Sequence, residues 1–176
     1  VLGTGNPGWS EGIQAEFGMP RSQWRPLVAG ANGVETLLGG KPFTTADMVP
    51  VLAERLRPHL GDSAETAARR MCGAFTDRAA GELFQPMMSL VKSLHEAGVT
   101  IGMLSNGPAD APSGRMGDVL ASGYIDAIVL SGADGVGKPS SAAFALILER
   151  LNVQAHEAVF IDDDADLAAA GRDFGL

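Results

Sequence analysis

The sequence predicts an α/β protein, with a doubly wound parallel sheet in its second half and a helical module ahead of it. Three observations carry this. After Gly81, short apolar runs at 99–104, 125–130 and 158–161 alternate with amphipathic segments, the pattern of a parallel sheet with crossover helices. Before Ala80, apolar residues recur at helical spacing and no convincing strand occurs. The last apolar run, Ala158-Val159-Phe160-Ile161, passes straight into Asp162, Asp163 and Asp164. In open α/β sheets, ligands bind outside the carboxyl ends of the strands.

Taken in order, the first nine residues are rich in glycine and read as a loop. Ser10 caps a helix that ends at Gly18 and Pro20, and Ser22 opens another carrying Trp24, Leu27 and Val28. A brief apolar segment, 34–38, sits among Gly30, Gly33, Gly39 and Gly40. Thr44 or Thr45 starts a helix with Met48, Leu52, Leu56 and Leu60 in register, and Pro50 predicts an irregular first turn or a late start. Asp62 or Ser63 caps a helix with Ala67, Met71 and Phe75.

The second half opens with an amphipathic helix over 83–97, closed by Gly98 at C′. The strand at 99–104 ends in Ser105-Asn106-Gly107, and the strand at 125–130 ends in Ser131-Gly132. Ser140 or Ser141 caps a helix carrying Phe144, Ile147 and Leu151. The strand at 158–161 then leads into an Ala-rich helix that stops at Gly175. The expected division is a helical unit over 13–80 and an α/β unit formed by 1–12 with 81–176.

Composition narrows the function. A chain of 176 residues holds one sizeable domain, or a core with an insertion. The formal net charge of −8 argues against a nucleic-acid partner. No apolar run approaches the roughly 20 residues that span a bilayer. The single cysteine, Cys72, leaves no internal disulfide framework. With no signal peptide visible at the start, the expected compartment is the cytoplasm.

Chemistry is expected where the strands end. Carboxylates packed at a strand's carboxyl end repel one another and favour a cation between them. Asp162 and Asp163 are therefore candidate Mg²⁺ ligands, and the competing reading is a helix cap by Asp164 or Asp162. In a parallel sheet, Ser105, Asn106 and Lys138 share one rim with them. Ser105, with backbone N–H groups, suits phosphate oxygens, and Lys138 suits their charge. Each has a plainer reading: Ser-Asn-Gly as a turn, Lys138 as a solvated loop residue. His59, His95 and His156 have no partners at ligand spacing. Met87, Met88, Met103 and Cys72 read as packing, and Met19 and Trp24 are candidates to line a cleft.

The order of these features resembles the haloacid dehalogenase-like (HAD) superfamily of hydrolases. Met103-Leu104-Ser105-Asn106 looks like its second motif, Gly137-Lys138-Pro139 its third, and Phe160-Ile161-Asp162-Asp163 its fourth. The resemblance implies a Rossmann-like core with a helical cap inserted after the first strand. It implies Mg²⁺-assisted hydrolysis of a small phosphate ester through an aspartyl-phosphate intermediate. On it, Asp162 and Asp163 hold Mg²⁺, Lys138 steadies the nucleophile and phosphate, and Ser105 with Asn106 binds phosphate. Ser140 and Ser141 stand where the family often has Asp-Pro, and Leu167 where it often has Asn. The family's first motif, Asp-x-Asp-Gly, does not occur in the sequence, and Val1-Leu2 looks like the residues just after it. The expectation is that an apolar strand ending in that motif precedes Val1, and that the C-terminal end of the core is likewise missing.

Three rivals remain. Gly132 to Lys138 satisfies G-x-x-x-x-G-K of a P-loop, but Pro139 supplies neither the hydroxyl nor the backbone N–H that such a loop needs. A metal-independent 2-haloacid dehalogenase suits Leu104-Ser105-Asn106-Gly107 but has no use for an acidic metal pair. A catalytically inactive fragment or binding module is the non-enzymatic alternative.

Overall fold

The computed structural model describes residues 3–5, 7–29, 33–38, 40–78 and 81–176. The helical half comprises α1 (Pro7–Phe17), α2 (Arg21–Val28), α3 (Val34–Leu37), α4 (Thr45–Leu60) and α5 (Ala64–Cys72). Apolar residues at four-residue spacing on α4, Met48, Leu52 and Leu56, lie on one face and have no exposed surface. They meet α5 through Ala67, Ala68 and Met71, where the small side chains let the helices approach closely. Each large side chain buried this way contributes about 1.5–3 kcal/mol. Trp9 and Trp24 join the same core edge to face, ring centroids 5.4 Å apart. The helical core thus begins at Trp9, ahead of the expected boundary at residue 13. Met19 and Trp24 pack inside it rather than lining the cleft described below.

Pro50 does not delay α4, contrary to the sequence expectation. The backbone N–H and the hydroxyl of Thr44 both donate to the Asp47 carboxylate at 2.8 Å. That cap fixes the first turn at Thr45 before the proline is reached.

The α/β half contains β2 (Gly81–Leu83), α6 (Gln85–Glu96), β3 (Gly102–Ser105), α7 (Arg115–Ala121), β4 (Ala127–Leu130), α8 (Ser131–Asp134), α9 (Ser141–Leu151) and α10 (Ala165–Phe174). β3 and β4 pair in parallel, Gly102 with Ala127 through Ser105 with Leu130. Helix α9 covers them with Phe144, Ile147 and Leu148. A side chain at Gly102 would meet Leu151 Cδ1 at 2.7 Å, so glycine there lets the helix close on the strand. Ser140 caps α9, accepting from Ala142 N at 3.3 Å. Gly98 takes φ +81° as the C′ residue of α6.

Two expectations are corrected. The Gly-rich start contains a strand, β1 (Gly3–Gly5), paired antiparallel with β2. Its three residues, Gly-Thr-Gly, carry no apolar signal of a strand. The segment 158–161 is not a β-strand. It enters extended at Ala158 and keeps a two-residue alternation. Phe160 turns inward against Phe144, ring centroids 5.2 Å apart, and seats on Gly171, where a Cβ would meet its ring at 2.5 Å. Val159 and Ile161 face outward, 85% and 63% exposed. Sheet structure requires a hydrogen-bonded neighbour, and among the described residues β3 pairs only with β4 and nothing pairs with 158–161.

Candidate active site

The rim at the ends of β3 and β4 is built by backbone and amide hydrogen bonds. Asn106 follows β3, and its side chain grips the chain at Lys138 from both sides. Its Nδ2 donates to Lys138 O, and Lys138 N donates to its Oδ1, each at 2.8 Å. Gly137 makes the grip possible, since a Cβ there would sit 2.7 Å from Asn106 Oδ1. Asn106 therefore serves as the clamp that positions Lys138. Ser131, at the end of β4, is almost fully buried. It accepts from Gly107 N at 3.0 Å and so ties the two strand ends together.

The helical half is stitched into this rim. Phe43 N donates to Gly132 O, and Ala109 N donates to Phe43 O, both at 2.8 Å. The backbone and hydroxyl of Thr45 donate to Asp110 Oδ1 at 2.9 Å. A Cβ on Gly132 would lie within 2.6 Å of Gly107 O and Phe43 O, so only glycine admits the crossing backbone. A cleft of about 430 Å³ results, lined by Glu35 and Thr36 from the helical half and by Asn106, Ser131, Lys138 and Ser140 from the α/β half.

Lys138 is the residue through which the cleft meets the acidic run. Its Nζ lies 2.5 Å from Asp162 Oδ2, with both side chains largely buried. The ammonium also stands 5.7 Å from the Phe160 ring centroid. The three aspartates divide their work. Asp164 caps α10, its Oδ1 accepting from Asp166 N at 3.0 Å and Leu167 N at 3.4 Å. Asp162 pairs with Lys138 and accepts from Asp164 N at 3.0 Å. Asp163 stands exposed beside them. The cap and the acidic pair, read as alternatives from sequence, coexist on consecutive residues. Ser105 sits half-buried at the end of β3, its hydroxyl 3.5 Å from Asn106 O, and neither it nor the aspartates line the cleft.

The donor set fits Mg²⁺. Asp162 and Asp163 offer hard carboxylate oxygens, and Mg²⁺ typically takes one or two carboxylates together with waters and substrate phosphate. Among the described residues no cluster of three His, Cys, Asp or Glu side chains gathers, so these two carboxylates are what the described residues offer such an ion. The P-loop alternative fails here as well. The Lys138 N–H is taken by Asn106, and residues 131–134 form α8 rather than an open phosphate cradle.

Sequence reasoning missed Glu35. It lies 6% exposed in the cleft wall. Burial pushes its carboxyl from the ordinary 4.5 up to about 7, against the opposing pull of Arg25 and Lys138. A lone acid inside the apolar segment 34–38 was the available signal. Burial also raises the Cys72 thiol to about 12, with the Glu35 charge adding to it, as expected of a packing residue.

Residues 2–175 match the haloacid dehalogenase-like hydrolase family. A (S)-2-haloacid dehalogenase of Pseudomonas sp. (strain CBS-3) is 28% identical over 156 residues, 87% of this chain and 66% of the relative. A ribulose-1,5-bisphosphate 5-phosphatase of Halopiger xanaduensis is 32% identical over 81 residues, 46% of this chain and 34% of the relative. The chain thus spans less than two thirds of the length of both. Among solved structures, a HAD family enzyme of Bacteroides thetaiotaomicron in complex with magnesium and inorganic phosphate superposes with TM-score 0.64 at 16% identity. That match covers all of this chain and 86% of the other. A dehalogenase superposes with TM-score 0.63 at 17% identity, over 94% and 69%. Both structures share the fold, with its parallel sheet and largely helical remainder. The motif order, the rim that Asn106 and Lys138 build at the strand ends and the family match converge: this chain belongs to the haloacid dehalogenase-like hydrolases.

Proposed function

We propose that the complete protein is a Mg²⁺-dependent phosphatase acting on a small phosphate ester. One observation carries this reading: the buried Lys138–Asp162 ion pair, with Asp163 exposed beside it, at the edge of the cleft. Displacing a halide from carbon needs no metal ligands, whereas phosphoryl transfer gains from both a cation and a metal at the transferring group. Lys138, held by Asn106, presents its ammonium to the phosphate oxygens and to the developing charge. The Ser105 hydroxyl, held by only a 3.5 Å contact, turns to a phosphate oxygen. Asp162 and Asp163 would hold Mg²⁺, which would supply Lewis-acid neutralisation of the phosphate charge.

The nucleophile in this reading is an aspartate outside the described residues. It sits on an additional strand between β3 and the 158–161 segment, whose backbone pairs with none of the described strands. The phosphoryl group passes to that carboxylate with departure of the alcohol, and water then releases inorganic phosphate. The relative from Halopiger and the Bacteroides structure with magnesium and phosphate support this direction, and the Pseudomonas relative supports the dehalogenase as the second reading. The test is to assay the complete protein with an aryl phosphate and with a 2-haloacid, with and without EDTA. Phosphate release abolished by EDTA is expected. Halide release that persists in EDTA, without phosphate release, would replace this reading by the second.

A further inference from the structure

The carboxyl of Glu35 is buried in the cleft wall, yet none of the described residues donates a hydrogen bond to it. A buried carboxyl that serves only the fold is ordinarily paired, because an unsatisfied one costs about 1–3 kcal/mol or more. The charges that reach it are Arg25 on α2 and Lys138 across the cleft, and its own charge reaches Cys72 on α5. Lys138 already has a direct partner in Asp162. Among the described residues no donor is left to pair with the Glu35 carboxyl, and Glu35 lines the space that a ligand would fill.

Its placement says which part of a ligand. Lys138 marks the phosphate end, on the α/β half. Glu35 comes from the helical half, which is fixed to the rim through Phe43 and Thr45. What it meets is the organic group attached to the phosphate.

We propose that Glu35 is a specificity-determining residue that hydrogen-bonds a neutral, hydroxyl-bearing leaving group and excludes one carrying a second anionic group. This rests on the phosphatase reading. A hydroxyl suits the carboxyl in either protonation state, donating to the carboxylate or accepting from the acid. A second anion meets like charge in a low-dielectric wall once Glu35 ionises, so exclusion strengthens as pH rises through about 7.

The experiment measures kcat/KM of the complete enzyme for three esters: glycerol 3-phosphate, phosphoglycolate and p-nitrophenyl phosphate. Two variants separate charge from hydrogen bonding. Glu35→Gln keeps the hydrogen bond and loses the charge. It should raise the ratio of kcat/KM for phosphoglycolate to that for the aryl ester about tenfold, more at pH 8 than at pH 6. Glu35→Leu loses both. It should lower kcat/KM for glycerol 3-phosphate by about 10–100-fold, mainly through KM, the range expected for a lost charge-assisted hydrogen bond. Folded variants in which the ratios of kcat/KM among the three substrates stay unchanged overturn the assignment. Wild-type protein that releases no phosphate from any of the three overturns the phosphatase reading itself, a different outcome from unchanged discrimination by an active enzyme.

Discussion

On α4 and α5, Met48, Leu52, Leu56, Ala67 and Met71 have no exposed surface, whereas in the α/β half Val99, Val159 and Ile161 keep 46%, 85% and 63% of theirs. The two regions differ in how their cores are supplied. Helices bury one stripe against near neighbours in sequence: α4 packs on α5 across a three-residue connection. A sheet needs a hydrogen-bonded neighbour for each inner edge, often from far along the chain. β3 has that neighbour in β4 alone among the described residues. The exposed side chains of 158–161 adjoin Asp162 and Asp163, and among the described residues no strand pairs with this segment.

The largest expected effect joins the two. Lys138→Met should lower phosphate release by about 10³-fold and should also destabilise the fold by about 3–5 kcal/mol, because Asp162 is left buried and unpaired. Combining it with Asp162→Asn should restore much of the stability and none of the activity. Denaturant melts and initial rates separate the two losses; a single variant as stable as wild type would mean the ion pair is not buried in solution.

The comparison itself is sharpened by two truncations. Leu52→Ala removes a fully buried side chain and should cost about 2–5 kcal/mol. Val159→Ala, at a side chain 85% exposed, should change stability by less than about 0.5 kcal/mol. Equal losses from the two truncations in denaturant melts would mean that the two regions do not differ in burial.

Glu35 gives a pH test of how the halves meet. Below pH 4.5 the folded and unfolded states both hold its proton. Between 4.5 and about 7 the unfolded chain releases the proton and the folded protein keeps it. Stability is therefore lost as pH rises through this window, by about 3 kcal/mol at about 1.4 kcal/mol per pH unit. Glu35→Gln should match wild type near pH 4 and exceed it by that amount at pH 8. Parallel stability curves for the two proteins would place the carboxyl in water.

The smallest structural change tested is at the clamp. Gly137→Ala puts a methyl group 2.7 Å from Asn106 Oδ1. It should loosen both bonds to Lys138 at a cost of about 1–3 kcal/mol, with a larger proportional loss of rate than of substrate binding.

Much of this arrangement was legible in sequence because it is local. Ser140 as a cap and Gly98 as a helix stop follow from spacing alone. What failed depended on partners. The run 158–161 is continuously apolar, as a buried parallel strand should be, but an apolar run does not report whether a neighbour pairs with it. Asn106 reads as a phosphate ligand until its amide is seen committed at both ends to Lys138, 32 residues away. Glu35 was hidden because burial, not spacing, gives it chemical meaning.

That Asp162 and Asp163 hold Mg²⁺ for phosphoryl transfer is tested most directly by titrating Mg²⁺ into metal-free complete protein, wild type and Asp163→Asn, while following phosphate release from p-nitrophenyl phosphate. A carboxylate brings a full charge and hard oxygens, and an amide one neutral carbonyl. Wild type should be inactive without metal and saturate on titration. Asp163→Asn should need at least about tenfold more Mg²⁺ or remain inactive, with an unchanged melt. Activity that ignores Mg²⁺ in wild type, or the same titration curve in both proteins, would contradict the assignment and leave the acidic run as a helix cap and an ion pair.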